Sequence, residues 1–529
     1  MQQTHGHAEA AGAEARACRG TGRLGRALAF TVPPCLRAAA PAVLLCFCAA
    51  VPAASQCPDG TPPPCAREVH VAAPPSNSVA VLYFDNLSRD TADAFLADGL
   101  TEEIIIRLGQ VPRLDVKSRF EVERFRGRAA AQDPSGLGRA LRATYLVTGS
   151  VQRAGERVRC RYEVVRAATR TQIAGDVVDR ASSDLLSVES EIAREVATAI
   201  TGRLLPEEQA RLNRPLTSDP VAYEEYLRGL QAMNSSYDEA ALRSALSHLG
   251  RAIARDSSFA AAFARKALAW VELADGYVSP LEGYAQGRTA AARALALDSL
   301  QALADAVLGA AAITLDLDAR QADRLARRAL ELNPHLDQAH SLLSGALFAA
   351  RRVDEGLEEA QLAWQEDSLF SNNGVWYAEA LVLAHRLDSA AALLPRLRAI
   401  LPPADADAAE GMVLAARGDL RGAAPLLNWR YYGGLVAGTV VRALLARGDT
   451  LAAKATVDSM VAARSAGYYN PIALAKAYAA LGDRDRGMEW LRRAFEERTF
   501  WLTYVRVDDE LASLRADPRY AALDRQLRF

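Results

Sequence analysis

Lysine is nearly missing from this 529-residue chain, which holds only Lys117, Lys266, Lys454 and Lys476. None follows a glycine, which excludes a P-loop of the GxxxxGK[ST] type, and none lies three residues after a serine, which excludes SxxK. Histidine is sparse and scattered (His5, His7, His70, His248, His335, His340, His385), and no HExxH occurs. His335 and His340 stand too far apart round a helix to share a metal. No GxSxG appears, and no GxGxxG follows the first strand-like run. Glu102-Glu103 and Asp508-Asp509 are sequence neighbours, so their carboxylates diverge. A formal net charge of −2 excludes a globally basic nucleic-acid binder. These absences lead to the expectation of a non-enzymatic chain with no metal and no cofactor.

Long apolar runs are also lacking. The strongest, 38–54, counts 17 uncharged residues broken by Pro41 and Pro52, whereas a membrane-spanning helix needs about 20. Arg23, Arg26 and Arg37 form a basic flank before it, and Ala53 and Ser55 suit the −3 and −1 positions of a cut before Gln56. Residues 1–55 thus read as a targeting segment, a cleaved secretory signal in preference to a retained anchor. The long flank suggests a translation start downstream, near Val32. The folded part is expected in the periplasm or outside the cell. The alternative is anchoring through 38–54 with the folded domains outside the cytoplasm.

Cysteine is confined to the front of the chain apart from Cys160. Cys57 and Cys65 bracket CPDGTPPPC in a Cys/Pro-rich linker, 56–77. In an oxidising compartment they are a disulfide candidate, the alternative being two free thiols. Cys160 alternates with Val158, Tyr162 and Val164, which suits a buried small hydrophobe better than a nucleophile.

What is present first is an α/β pattern over 78–205. The run SVAVLYF (78–84) reads as a buried strand, 91–108 as a helix and 113–117 as a strand. Two short helices follow, then three strands at 144–153, 157–167 and 171–180, then a helix to Leu204. The order implies one α/β layer domain with a mixed sheet. The stretches FLADGLTEEIIIRLGQVPRLDVKSR (95–119) and YLVTGSVQRAGERVRCRYEVVRAATRTQIAG (145–175) resemble the TolB N-terminal-like domain of bacteria. That resemblance implies a small α/β domain that accompanies tetratricopeptide arrays, with no catalytic residues to carry over.

This region is locally basic, with 15 Lys/Arg against six Asp/Glu over 105–170. Arg157, Arg159 and Arg161 alternate outward on one strand and are a candidate anionic-ligand row, against the plainer reading of a solvated sheet face. No aromatics interleave them, which weakens a nucleic-acid reading.

Beyond RPLTSDP (214–220) the chain repeats itself. AIARDSSFA, ALALDSLQA, ALELNPHLD and AWQEDSLFS place Asp256, Asp298, Asn333 and Asp367 at steps of 42, 35 and 34 residues. That period is the mark of tetratricopeptide helix pairs. Leu474, Ala475, Tyr478, Gly487, Leu491 and Ala494 match the family's alternation of large and small positions. Turn aspartates Asp354, Asp388, Asp419, Asp449 and Asp483 are expected to cap the second helices. The expected fold is a small mixed-sheet α/β domain followed by an α-solenoid of about seven repeats over 215–500 and a C-terminal capping helix over 501–529.

Two irregularities interrupt the period. An extra segment near 275–287 explains the 42-residue step. At 425–438 the helical pattern breaks, and there Trp429, Tyr431 and Tyr432 are a candidate partner-binding cluster, or else a packed plug. The functional expectation is an envelope scaffold whose solenoid groove binds a peptide or protein partner, with no nucleic acid. The alternatives are a regulatory component whose TolB-like domain binds an anionic ligand and an envelope hydrolase whose site no motif marks.

Overall fold

The computed structural model describes residues 74–528 except 91–92, 128–132, 182–183, 185–186, 236–237, 275, 369 and 431. The targeting segment, Cys57, Cys65 and Tyr431 therefore lie outside the described residues. Among the described residues no helix is long and apolar enough to cross a membrane.

The apolar run at 78–84 opens as β1, Ser78–Val81, with all four residues buried. β2 (Asp85–Asn86), α1 (Ala94–Gly109), β3 (Asp115–Val116), α2 (Arg119–Glu123) and α3 (Pro134–Leu141) follow. Then come β4 (Tyr145–Ala154), β5 (Arg157–Arg166) and β6 (Thr171–Ala181), an antiparallel meander. β1 lies parallel between β3 and β4, giving the order β3-β1-β4-β5-β6, with β2 beside β4. Gly155, at φ 61°, leads the two-residue turn from β4 to β5, where a positive φ matches the strand twist. α4 (Val188–Thr201) and α5 (Pro206–Leu212) complete the mixed-sheet module. Val158, Cys160, Tyr162 and Val164 point from β5 into the core shared with α1 and α4. Burial pushes the Cys160 thiol up to about 12, so it serves as packing.

The repeats are antiparallel helix pairs. They are α6 (Pro220–Ser235) with α7 (Glu239–Arg255), α8 (Ala260–Leu273) with α9 (Pro280–Leu297), α10 (Ala302–Leu315) with α11 (Ala319–Leu332), and α12 (Asp337–Ala349) with α13 (Val353–Glu366). The array continues with α14 (Ser371–Leu383) and α15 (Leu387–Ile400), α16 (Pro403–Ala416) and α17 (Leu420–Ala423), α18 (Gly433–Ala446) and α19 (Thr450–Ala466), and α20 (Pro471–Ala480) and α21 (Arg484–Glu497). There are eight pairs among the described residues, one more than the spacing suggests. The extra pair hides at 403–423, where α17 stops after four residues just before Pro425, whose ring and missing N–H oppose continuation.

The recurring Asp/Asn ends each second helix and starts the next pair. Asp256, Asp298 and Asn333 each accept the N–H two residues on at 2.8, 3.1 and 3.0 Å, and Asp367 accepts that of Phe370 at 2.9 Å. The turn aspartates divide into two kinds. Asp419, Asp449 and Asp483 cap their helices as expected. Asp354 and Asp388 do not. In those turns Arg351 and His385 hold the positive φ that Gly418, Gly448 and Gly482 hold elsewhere, so the cap position falls on Arg352 and Arg386. The two displaced carboxylates instead receive arginines of the following repeats, Arg386 to Asp354 and Arg417 to Asp388, both at 3.0 Å.

The expected terminal helix is not one helix. The chain makes 3-10 turns at Phe500–Tyr504 and Asp509–Leu511, then α22 (Ala512–Arg515) and α23 (Tyr520–Asp524). Leu511, Leu514, Tyr520 and Leu523 do cover the apolar side of the last pair. Arg528 then bonds to the α10–α11 turn, its N–H to Leu317 at 2.8 Å and its carbonyl from Ala319 at 3.0 Å.

Sheet module and array share one core, which runs from Val79 through α1 and α6 to Val307. A Cβ on Gly99 of α1 would stand 2.8 Å from Leu227 of α6, so only glycine permits this approach. Arg107 of α1, 2% exposed, pairs with Glu103 at 3.2 Å and Glu189 at 3.4 Å and donates to the Leu212 and Arg214 carbonyls. His335, at the head of α12, lies 3.1 Å from the Leu114 carbonyl of the sheet module.

Candidate functional site

The first helices of four consecutive pairs, α8, α10, α12 and α14, line a common cavity of about 390 Å³. They face it because the small positions that let paired helices close up lie between the helices, leaving the opposite stripe open. The cavity is strongly aromatic. Tyr277 comes from the connection between α8 and α9 and Tyr284 from the second turn of α9, both within the extra segment that the longer repeat step signalled. Phe370 and Trp376 come from the head and body of α14, and Tyr432 from the N-cap of α18.

The remaining wall is the chain's own terminal turn. Phe500, Trp501 and Tyr504 cross the inner face. Phe500 stacks on Trp376 with centroids 6.4 Å apart, and Tyr504 meets Phe348 edge-on at 5.7 Å. An ionic cluster follows directly behind this turn. Lys476 of α20 lies 2.6 Å from Asp508 and 3.8 Å from Glu510. Glu510 also takes Thr439 at 2.5 Å and Arg442 at 3.0 Å from α18. Burial pulls the Lys476 ammonium down, but Asp508, Glu510 and Glu379 outweigh it and hold it above its ordinary value.

The charges on the cavity are of one sign. Glu272 of α8 and Asp337 of α12 line it, and Glu379 of α14 lines a void of about 10 Å³ that shares Ser341, Asn373, Trp376 and Tyr504 with it. No lysine, arginine or histidine is among the described residues lining either space. Burial pushes Glu272 up to about 7 and Glu379 up to about 8, and raises Asp337 despite the Asn373 amide bonded to it at 3.2 Å.

No family model matches the chain. A curated relative, putative adenylate cyclase 3 of Rhizobium meliloti (strain 1021), is 33% identical over 172 residues, which are 32% of this chain and 29% of that protein. The chain thus spans less than a third of that relative's length. Two solved structures align loosely. YrrB, a TPR protein with an unusual peptide-binding site, is 19% identical at a TM-score of 0.24, over 35% of this chain and 87% of its own. Cut9 in the APC/C hetero-tetramer Cut9–Hcn1 is 12% identical at 0.31, over 65% and 84%. Superpositions this loose bear no weight, and the TPR-type solenoid rests on the helix pairs themselves.

Residues singled out from sequence fall in separate places. Arg157, Arg159 and Arg161 do stand exposed on the outer face of β5. Asp179 of β6 binds two of them, Arg157 at 2.7 Å and Arg159 at 2.8 Å, and its one negative charge offsets one of the row's three positive charges. Among the described residues Trp429 and Tyr432 pack against different parts of the core. Trp429 packs edge-on against Tyr469 at 5.7 Å, while Tyr432 donates to Asp405 at 2.9 Å and faces the cavity. Glu102 and Glu103 diverge as expected, Glu102 taking Tyr83 at 3.1 Å and Glu103 taking Tyr226 at 3.3 Å. Sequence reading missed Glu272, Trp376 and the terminal aromatics. The run FWLTY just past the last repeat was the available signal.

Proposed function

We propose that this chain is a non-enzymatic protein–protein interaction scaffold of the bacterial cell envelope, and that the inner face of its solenoid binds a peptide or protein segment. The observation that carries this reading is the aromatic cavity built from four successive first helices. Cavities of a few hundred Å³ with apolar walls and a few placed polar groups are the usual form of a ligand site. The envelope location draws its support from the apolar run 38–54 and its basic flank. The sheet module is read as TolB N-terminal-like on the motifs at 95–119 and 145–175.

The test is capture from detergent-solubilised envelope with the whole mature chain, since a fragment starting near 215 would expose the α6 face that α1 covers. Recovery of a specific protein that Trp376→Ala loses supports the reading. No specific recovery, or capture indifferent to Trp376, counts against it.

A second reading is a regulatory component whose sheet module receives an anionic ligand at Arg157, Arg159 and Arg161. The partial likeness to a protein named as a putative adenylate cyclase favours a regulatory role, because a shared segment can serve a signalling protein without itself catalysing. Reversal of the three arginines to glutamate is expected to abolish anion binding without unfolding the chain.

A further inference from the structure

We infer that the inner cavity receives the guanidinium or ammonium end of a basic side chain carried by an extended peptide, an assignment that rests on the scaffold reading above. Three features converge on a cation. The lining charges are carboxylates, with no described cationic side chain to balance them inside. Glu272 has no hydrogen-bond partner among the described residues. A carboxylate held partly out of water without a partner is costly, and an incoming positive donor relieves it. The walls are aromatic. Ring faces such as those of Trp376 and Trp501 attract ammonium and guanidinium groups, most strongly where water is excluded.

The surroundings favour a side chain on a peptide over a free small amine. Gln338 and Asn372 line the same cavity, and their amides have no partner among the described residues. An amide offers both a donor and an acceptor, which suits a peptide unit entering beside the cation. About 390 Å³ holds a long side chain with part of its flanking backbone. Phe500, Trp501 and Tyr504 of the terminal turn take up part of the cavity wall, and the space left, about 390 Å³, suits a side chain and is too small for a helix.

The test titrates the full chain with capped Gly-Gly-Arg-Gly-Gly and its uncharged citrulline counterpart by calorimetry. The same titrations are run with Glu272→Gln and with agmatine as a free guanidinium. The arginine peptide is expected to bind about tenfold more tightly than the citrulline peptide. Agmatine is expected to bind more weakly than the arginine peptide. Glu272→Gln is expected to erase the tenfold gap while leaving the chain folded, because the carboxylate it replaces is half-buried and makes no hydrogen bond among the described residues. Trp376→Ala provides a second check on the wall and is expected to weaken the arginine peptide more than the citrulline one. Equal binding of the two peptides overturns the inference, as does a gap that survives Glu272→Gln. Agmatine as tight as the peptide overturns the peptide assignment. A parallel array of uncharged and acidic peptides separates the two readings. Binding there with no preference for arginine overturns this inference and leaves the scaffold standing, whereas silence across the whole array removes both.

Discussion

Arg107 Nη1 donates a 3.0 Å hydrogen bond to the backbone carbonyl of Leu212, tying the helix at the centre of the sheet module to the chain that leads into the repeats. The same guanidinium faces Glu103 and Glu189, both buried. Arg107→Met is expected to lower unfolding free energy by about 3 kcal/mol, since it strips a buried cation from its carboxylates. Urea titration read by both far-ultraviolet dichroism and tryptophan fluorescence checks it. If the two modules were independent, the loss would appear only in the sheet signal.

Stability is expected to fall as pH rises from 5 to 8. Glu121 and Glu272 are held up to about 7, Glu189 and Glu379 up to about 8, in each case chiefly by burial. Against an ordinary value of 4.5, each binds its proton more tightly folded than unfolded, so the folded chain carries more protons across that window. His335 acts in the same direction. Burial lowers it, but Glu366 outweighs this and holds it above 6.5. The depressed acids, such as Asp517 at about 2, change the balance only below the window. A melting temperature that is flat or rising between pH 5 and 8 would contradict this.

The two kinds of turn aspartate make a sharper comparison. Asp449→Ala removes a cap bond to the Ala452 N–H and is expected to cost about 1 kcal/mol. Asp354→Ala removes only an exposed pair with Arg386 and is expected to cost under about 0.5 kcal/mol. In the same turns, His385→Gly is expected to add about 1 kcal/mol by relieving a positive φ of 55°. Chemical denaturation of the three variants ranks them.

Lys476→Met is expected to leave Asp508 facing α20 without a cation and Glu510 with Arg442 alone, at a cost of about 3 kcal/mol. The consequence is local first. Amide exchange across 500–511 is expected to accelerate while that of α8 to α13 holds. Uniform acceleration along the chain would show that the terminal turn is not separately secured.

The parts legible in sequence are those governed by short periods. Arg157, Arg159 and Arg161 face outward because strand side chains alternate, and Leu474 to Ala494 pack as read because helix faces recur. The turn aspartates were misjudged at 354 and 388, where the same residue type sits two places later and only the backbone φ of Arg351 and His385 reveals the offset. Of the cavity only fragments were legible, the extra segment near 275–287 and Tyr432. Glu272, Trp376 and Tyr504 are brought together by stacking of four pairs and a returning terminal turn, and no local pattern records that return.

The bond between Arg528 and the α10–α11 turn changes the mechanics of the array. An open stack of repeats frays one brick at a time from its rim and stretches like a spring. Here the last pairs are looped back onto the third, so peeling them away requires this clasp to break first. Pulled or heated, the stretch from α10 onward should yield as one block, with a single rupture event where a free-ended solenoid would give a staircase.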